Sequence, residues 1–317
     1  MHALTLTPEG PRYRPDLPFA PRAGEATLAL TLGGVCATDL ELVRGYMGYT
    51  GVLGHEFVAV VEHAPDARWV GRRVVGEINA ACGTCPTCRA GRGTHCPQRT
   101  VLGILGRDGV FSERISLPME NLHAIPDSVP DAAAVFVEPL AAALRIAAQV
   151  HVRPTDRIAV LGLGRLGQLI ARVLALTGAE VTGISRSLHK RQLLPRGIQA
   201  LTPDQARDLP PVDLVVDSTG SSQGLEAARA VLRPAGTLVL KTTVHDLPQV
   251  NTNALVIDEI TVVGSRCGPF DAALRLLATG AVDPTPLITE ARPLADGVAA
   301  LRRAAEPDAI KVLLQPG

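Results

Sequence analysis

From residue 1 to about 125 the chain carries short apolar runs, Ala26 to Leu32, Glu56 to Val61 and Arg73 to Ile78, cut at close intervals by Gly, Pro and Asp. Runs of this length between turn formers predict strands of a compact β-rich domain. Near Asp131 an acidic cap opens an Ala/Leu-rich segment reaching Val150, which predicts one long helix linking two domains. Past Pro154 the rhythm becomes strand then helix: Arg157 to Leu161, Leu166 to Thr177, Glu180 to Ser185, Asp213 to Asp217, Leu225 to Leu232 and Thr237 to Leu240. Near-continuous apolar strands alternating with helices predict a parallel sheet covered on both faces, closed by a short strand from Ile260 to Val263. The tail predicts a helix, Asp271 to Thr279, and a strand, Lys311 to Leu314, whose partner in space the pattern leaves open.

A length of 317 residues fits two domains, and 46% hydrophobic with 20% charged residues is the balance of a soluble globular protein. The 31 basic and 31 acidic residues cancel, which removes the electrostatic footprint of a nucleic-acid or anionic-membrane binder. The start, MHALTLTPEG, lacks a signal peptide's basic and apolar regions, and no apolar stretch approaches the roughly 20 residues that span a bilayer. The expectation is a cytoplasmic protein acting on a small molecule. Four of the six cysteines fall between residues 82 and 96 of a chain without a secretion signal, so metal binding is expected rather than disulfides.

The strand Arg157 to Leu161 ends at Gly162-Leu-Gly164-Arg165-Leu166-Gly167 and runs into a helical segment, the strand, turn and helix that a dinucleotide fingerprint requires. Gly162 permits the tight turn, Gly164 lets the backbone approach a pyrophosphate, and Gly167 lets helix and strand pack closely. The helix N-terminus then receives the phosphates. The second strand should end in Asp or Glu if the ribose carries a free 2′-hydroxyl. Here it ends in Ser185-Arg186-Ser187, followed by Lys190 and Arg191, which predicts NADP over NAD, because a carboxylate repels a 2′-phosphate and a guanidinium binds one.

Cys82, Cys85, Cys88 and Cys96 form the ligand set of a closed tetrahedral zinc, a structural site that cannot accept substrate. Elsewhere Cys36, His55 and Glu138 supply a thiolate, an imidazole and a carboxylate, the mixed ligands of a catalytic zinc that keeps one coordination position open. Two zinc ions per chain are therefore expected.

Gly-Val-Cys36-Ala-Thr38-Asp39, Gly54-His55-Glu56, the four-cysteine lobe, Glu138-Pro-Leu, the glycine fingerprint and Asp217-Ser-Thr219-Gly220 come in one order along the chain. In these motifs the chain resembles the zinc-dependent medium-chain dehydrogenases of the alcohol, polyol and threonine dehydrogenase superfamily from end to end. The resemblance implies an α/β protein with a GroES-like catalytic domain at 1–138 (structural zinc lobe at 82–96) and a Rossmann domain with a doubly wound parallel sheet at 139–265. It also implies a segment at 266–317 that returns to the catalytic domain.

Carried over residue by residue, the resemblance makes Cys36, His55 and Glu138 the catalytic zinc ligands. Glu138 stands where simple alcohol dehydrogenases place a cysteine. It makes Glu56 a carboxylate that binds zinc in some members, Asp39 the acid that orients the ligand histidine, and Thr38 the hydroxyl that relays the substrate proton. Thr219 and Gly220 join the cofactor loop, and Lys311 falls where a basic residue faces the cofactor pyrophosphate. Many members place a histidine as the outlet of the relay where this chain has Glu41, so the proton exits through Glu41, the cofactor ribose or water. The implied activity is hydride transfer between NAD(P) and an alcohol or polyol, with zinc polarising the substrate oxygen. The alternative is a catalytically inactive cofactor-binding relative with a regulatory role. Homodimers or homotetramers are the implied assemblies, with neither a nucleic acid nor a membrane as partner.

Overall fold

The computed structural model describes residues 1–243 and 249–317, which divide into two compact units. One comprises Met1–Glu138 with Phe270–Gly317, and the other Pro139–Pro269.

The first unit is organised around the strand Ala26–Gly34, seven of whose nine residues are buried, as its nearly unbroken apolar composition requires. It pairs antiparallel with Glu56–His63 along one edge. Along the other it pairs with Arg114–Leu117 and then, at its C-terminal end, with Lys311–Gln315. The sheet extends through Arg73–Gly76 to Leu122–Ala124 on one side and to Ile288–Pro293 on the other. Two three-stranded sheets complete the unit: Gly10–Arg14, Ala3–Thr7 and Gly51–Val52, and Asn79–Ala80, Thr100–Leu102 and Gly106–Arg107.

Register decides what this sheet presents. Gly34 stands opposite Glu56 on one neighbour and Leu313 on the other. Residues just past Gly34, Glu56 itself and Lys311, two residues before Leu313, thus lie at one end of three adjacent strands.

The Ala/Leu-rich segment expected as one helix from Asp131 to Val150 is two helices, Asp131–Ala134 and Val137–Gln149. Pro139 has no N–H to give a carbonyl one turn back and its ring crowds that turn, so the helix restarts at Val137 with the proline in its first turn, where both defects are harmless. Asp131 is held by the guanidinium of Arg73, 3.0 Å from Nε.

In the second unit six parallel strands form one sheet, in the edge-to-edge order Gln199–Leu201, Glu180–Ile184, Arg157–Leu161, Val212–Asp217, Leu232–Leu240, Thr261–Gly264. The first strand in sequence is central and the order reverses beside it. In such a sheet the crevice for a ligand lies outside the carboxyl ends of the strands at that reversal. Ala159, Leu161, Ile184, Val215, Ala228 and Leu238 form the buried core. The helix Arg165–Ala175 is buried without interruption from Gly167 to Leu174. Among the described residues no helix is long and apolar enough to cross a membrane.

Candidate active site and metal centres

Cys36 sits immediately before the helix Ala37–Val43, where the chain leaves the central strand. His55 follows Gly54 at the start of the strand Glu56–His63. A single carboxylate joins these two segments. Asp39 is fully buried; its Oδ2 accepts the N–H of Cys36 at 2.8 Å and its Oδ1 accepts the N–H of Gly54 at 3.2 Å. His55 Nδ1 lies 3.4 Å from the same Oδ1, near enough for ion-pair attraction but without hydrogen-bond alignment. The Cys36 main chain is thus hydrogen-bonded to Asp39, and the His55 ring lies beside the same carboxylate.

One ligand atom each from Cys36, His55 and Glu56 lie within 4.8 Å of one another. Glu56 is buried: its Oε2 accepts from the ammonium of Lys311, and its Oε1 has no partner. Glu138, half-buried in the first turn of Val137–Gln149, is not one of the three. Thr38 Oγ1 is 3.9 Å from Cys36 Sγ. Burial disfavours charge on His55, but the Asp39 carboxylate and the Cys36 sulfur outweigh it and push the imidazole well above its ordinary value. The pocket thus favours positive charge at the ring. With a buried carboxylate oxygen left over and a thiol, an imidazole and a carboxylate converging, the donor set suits zinc.

Lys311, whose resemblance role is contact with the cofactor pyrophosphate, is 1% exposed. Its ammonium pairs with Glu56 and lies 5.3 Å from the centre of the Phe136 ring. Burying an ammonium group is costly unless it is paired in this way.

The second cluster is the cysteine lobe. Cys85 precedes the short helix Pro86–Arg89, and Cys96 is buried. The sulfurs of Cys82 and Cys88 are 3.9 Å apart, Cys85 and Cys88 3.5 Å, Cys85 and Cys96 3.8 Å, and Cys96 and Cys82 3.5 Å. A tetrahedral zinc with bonds of about 2.3 Å needs sulfur–sulfur edges of about 3.8 Å, and a disulfide needs about 2 Å. The lobe has the dimensions of the former. Backbone N–H groups of Thr84 and Cys85 lower the Cys82 thiol to about 6. Desolvation and the neighbouring sulfurs raise Cys88 to about 12. Without a cation the four sulfurs differ in readiness to ionise, and a bound zinc would hold all of them as thiolates.

The glycine turn lies in the other unit. Gly162 has φ +86°, and a Cβ there would come 2.6 Å from Ser218 O. A Cβ on Gly167 would stand 1.8 Å from Gly162 O, so helix and strand pack at a distance only glycine allows. A Cβ on Gly164 would meet nothing within 4 Å, which leaves the approach to the helix that opens at Arg165 and Leu166 clear for a pyrophosphate. The neighbouring turn is built on buried Asp217, whose Oδ1 accepts from Thr219 N and Oγ1, while Gly220 N donates to Thr242 Oγ1.

At the end of the second strand Ser185 is half-buried and Arg186 exposed. Lys190 N donates to Ser187 Oγ at 3.4 Å. The Arg191 guanidinium turns back on the chain, donating to the carbonyls of Ser185 at 2.6 Å and Arg186 at 3.0 Å. Two buried residues outside the sequence motifs, Gln168 and Arg172, support this segment. Their signal in the sequence is a glutamine and an arginine one turn apart on an otherwise apolar helix face. Tyr49 braces its own loop, its hydroxyl donating to Val52 O at 2.7 Å.

Two family profiles match the chain, one described as alcohol dehydrogenase GroES-like domain over residues 22–127 and one as zinc-binding dehydrogenase over residues 166–279. The 2-dehydro-3-deoxy-L-galactonate 5-dehydrogenase of Pseudoalteromonas atlantica is 27% identical over 94% of this chain and 93% of its own. Among solved structures, a protein described as a zinc-binding dehydrogenase from Sinorhizobium meliloti 1021, bound to NADP, is 26% identical, with a TM-score of 0.89 over 99% of both chains. One described as a short chain alcohol dehydrogenase from Escherichia coli CFT073, complexed with NADH, is 25% identical, with a TM-score of 0.90 over 99% of both chains.

Proposed function

The chain belongs to the zinc-dependent medium-chain alcohol and polyol dehydrogenase superfamily, and on that footing we propose that it oxidises an alcohol or polyol, or reduces the matching carbonyl compound, with NADP preferred over NAD. The observation that carries this reading is the convergence of Cys36, His55 and Glu56 within 4.8 Å, with Asp39 holding the main chain of Cys36 and Gly54 and the Thr38 hydroxyl near the Cys36 sulfur. Cys36, His55 and Glu138 are the proposed catalytic zinc ligands, and Glu56, tethered by Lys311 through Oε2, offers Oε1 to the same ion. Cys82, Cys85, Cys88 and Cys96, whose sulfurs converge, would hold the second zinc.

When bound, zinc would supply a Lewis acid that makes a hydroxyl acidic near neutral pH, and a nicotinamide cofactor would supply the hydride-accepting chemistry. Asp39, 3.4 Å from His55 Nδ1, would orient the ring once the imidazole ligates the metal. Thr38 takes the hydroxyl proton, for which its Oγ1 stands near Cys36 Sγ. Glu41, at the usual outlet of the relay, is paired with Arg44 at 2.6 Å, and Glu41, a cofactor ribose or water would take the proton onward. Gly162, Gly164 and Gly167 would leave room for the pyrophosphate at the helix N-terminus, and exposed Arg186 with the Ser185 hydroxyl would be the groups to meet a 2′-phosphate.

A panel of primary, secondary, sugar and sugar-acid alcohols with each cofactor, followed by nicotinamide absorbance, tests the proposal. Zinc is measured in parallel, with two equivalents per chain expected. No turnover from protein carrying both equivalents would favour the inactive alternative.

Thr38→Ala should lower kcat by roughly 10²- to 10⁴-fold, the usual contribution of a positioned proton acceptor, and Thr38→Ser should restore most of it. Equal activity of the alanine variant in steady-state assays would remove Thr38 from the relay.

Ser185→Asp combined with Arg186→Ala should shift the NADP-to-NAD ratio of kcat/KM toward NAD by at least about tenfold, from one lost charge-assisted bond and one new repulsion. An unshifted ratio would show that the 2′-phosphate is met elsewhere.

A further inference from the structure

The segment that follows the second strand of the cofactor unit is held from beneath by a buried polar network. Gln168 is fully buried on the helix that begins at the glycine turn. Its Nε2 donates to the carbonyl of Lys190 at 2.6 Å. Its Oε1 accepts from Arg172 Nη1 at 2.7 Å. Arg172, 7% exposed, sends Nη2 to the carbonyl of Leu193 at 2.7 Å. From the far end of the same segment, Arg191 Nη1 clamps the carbonyls of Ser185 and Arg186.

Three side chains therefore fix four carbonyls: Ser185, Arg186, Lys190 and Leu193. Buried polar groups of this kind are costly unless satisfied, and once satisfied they hold one conformation. The helix that would receive the pyrophosphate and the segment that would meet the adenosine ribose become one rigid body. Arg186, the exposed cation, is presented by a backbone that the network orders.

We infer that NADP recognition is divided between a contact residue and positioning residues. Arg186, with the Ser185 hydroxyl, contacts the 2′-phosphate. Arg191, Gln168 and Arg172 hold the segment in place for either cofactor, so Arg191 acts through the backbone it clamps and does not read the phosphate. This rests on the NADP preference proposed above, and only the Arg186 half of it depends on that preference.

The test is a fluorescence titration of NADPH and of NADH, each alone, into the zinc-loaded wild type and into the Arg186→Ala, Arg191→Ala and Gln168→Leu variants. Thermal melts and kcat at saturating cofactor accompany it. Arg191→Ala and Gln168→Leu should weaken both cofactors by a common factor, about tenfold, leaving their ratio unchanged within about twofold. Arg186→Ala should weaken NADPH by about tenfold or more and NADH little. Arg191→Lys, which keeps the charge and loses the two-carbonyl clamp, should resemble Arg191→Ala.

A selective loss of NADPH in Arg191→Ala, or its recovery in Arg191→Lys, overturns the division by making Arg191 a phosphate ligand. Unchanged binding of both cofactors in Arg191→Ala overturns the clamp. Should Gln168→Leu melt early, Arg191→Ala decides, since that half-buried side chain can be truncated without opening the core. A wild type that binds NADH more tightly refutes the NADP preference. The clamp is then judged on the NADH titrations alone.

Discussion

Alanine at Cys36 or His55 is expected to lower kcat/KM by about 10³-fold or more while leaving the fold and the melting temperature nearly unchanged. The size follows from the Lewis acid, which supplies several kcal/mol of transition-state stabilisation, each 1.4 kcal/mol being about tenfold in rate. Preservation of the fold follows from where the local structure is held. Asp39 binds the main-chain N–H of Cys36 and of Gly54, and neither bond uses the side chain that is removed. Zinc should fall from two equivalents to one, and cofactor should still bind, because the glycine turn belongs to the other compact unit. Steady-state kinetics, metal analysis and a thermal melt on each variant check this. Retained activity would remove these residues from the chemistry, and a collapsed melt would make their metal structural.

Serine at Cys96 is expected to do the reverse. Cys96 is wholly buried, and its sulfur also accepts the N–H of Gln98 at 3.4 Å. The lobe around it consists of short helical turns and little else, Pro86–Arg89 and Gly93–His95, with too few buried apolar residues to hold itself together. A structural zinc supplies that stability directly, so its loss should lower the melting temperature of the first unit on the order of 10 °C. Zinc again falls to one equivalent. The decisive reading is activity per remaining zinc at low temperature, which should stay near wild type. A melting temperature equal to wild type would show that the lobe does not depend on metal.

Legibility in the sequence followed how local each feature is. The strand Arg157–Leu161 and its glycine turn were readable because all the residues concerned lie within about ten positions and each has one role. The cysteine lobe was readable because its four sulfurs are close along the chain and meet with zinc-like edges. The strands Gly10–Arg14 and Ile288–Pro293 were not readable. Both lie at sheet edges, where proline and charged residues are tolerated, so GPRYR and ITEARP show no apolar alternation. The helix break near Val137 was visible in principle, since Pro139 forbids an unbroken ladder, but the alanine-rich propensity around it masked the signal.

At the site the division is sharper. Cys36, Asp39, His55 and Glu56 could be named from short motifs, because the chemistry of a ligand set depends on residue type. Their meeting depends on the register of Ala26–Gly34 against two strands, one of them nearly 280 residues further along the chain, and no local pattern encodes it.

The sequence by itself determined the α/β class, and it placed the four clustered cysteines and the glycine turn, since each is written in residue types at short spacing. Only the tertiary structure decided that Lys311 is buried against Glu56, and that Arg191 faces its own backbone over a Gln168–Arg172 network. The reason is that the direction a charged side chain takes is set by which buried acceptors lie within a few ångströms, and those are brought there by distant parts of the chain.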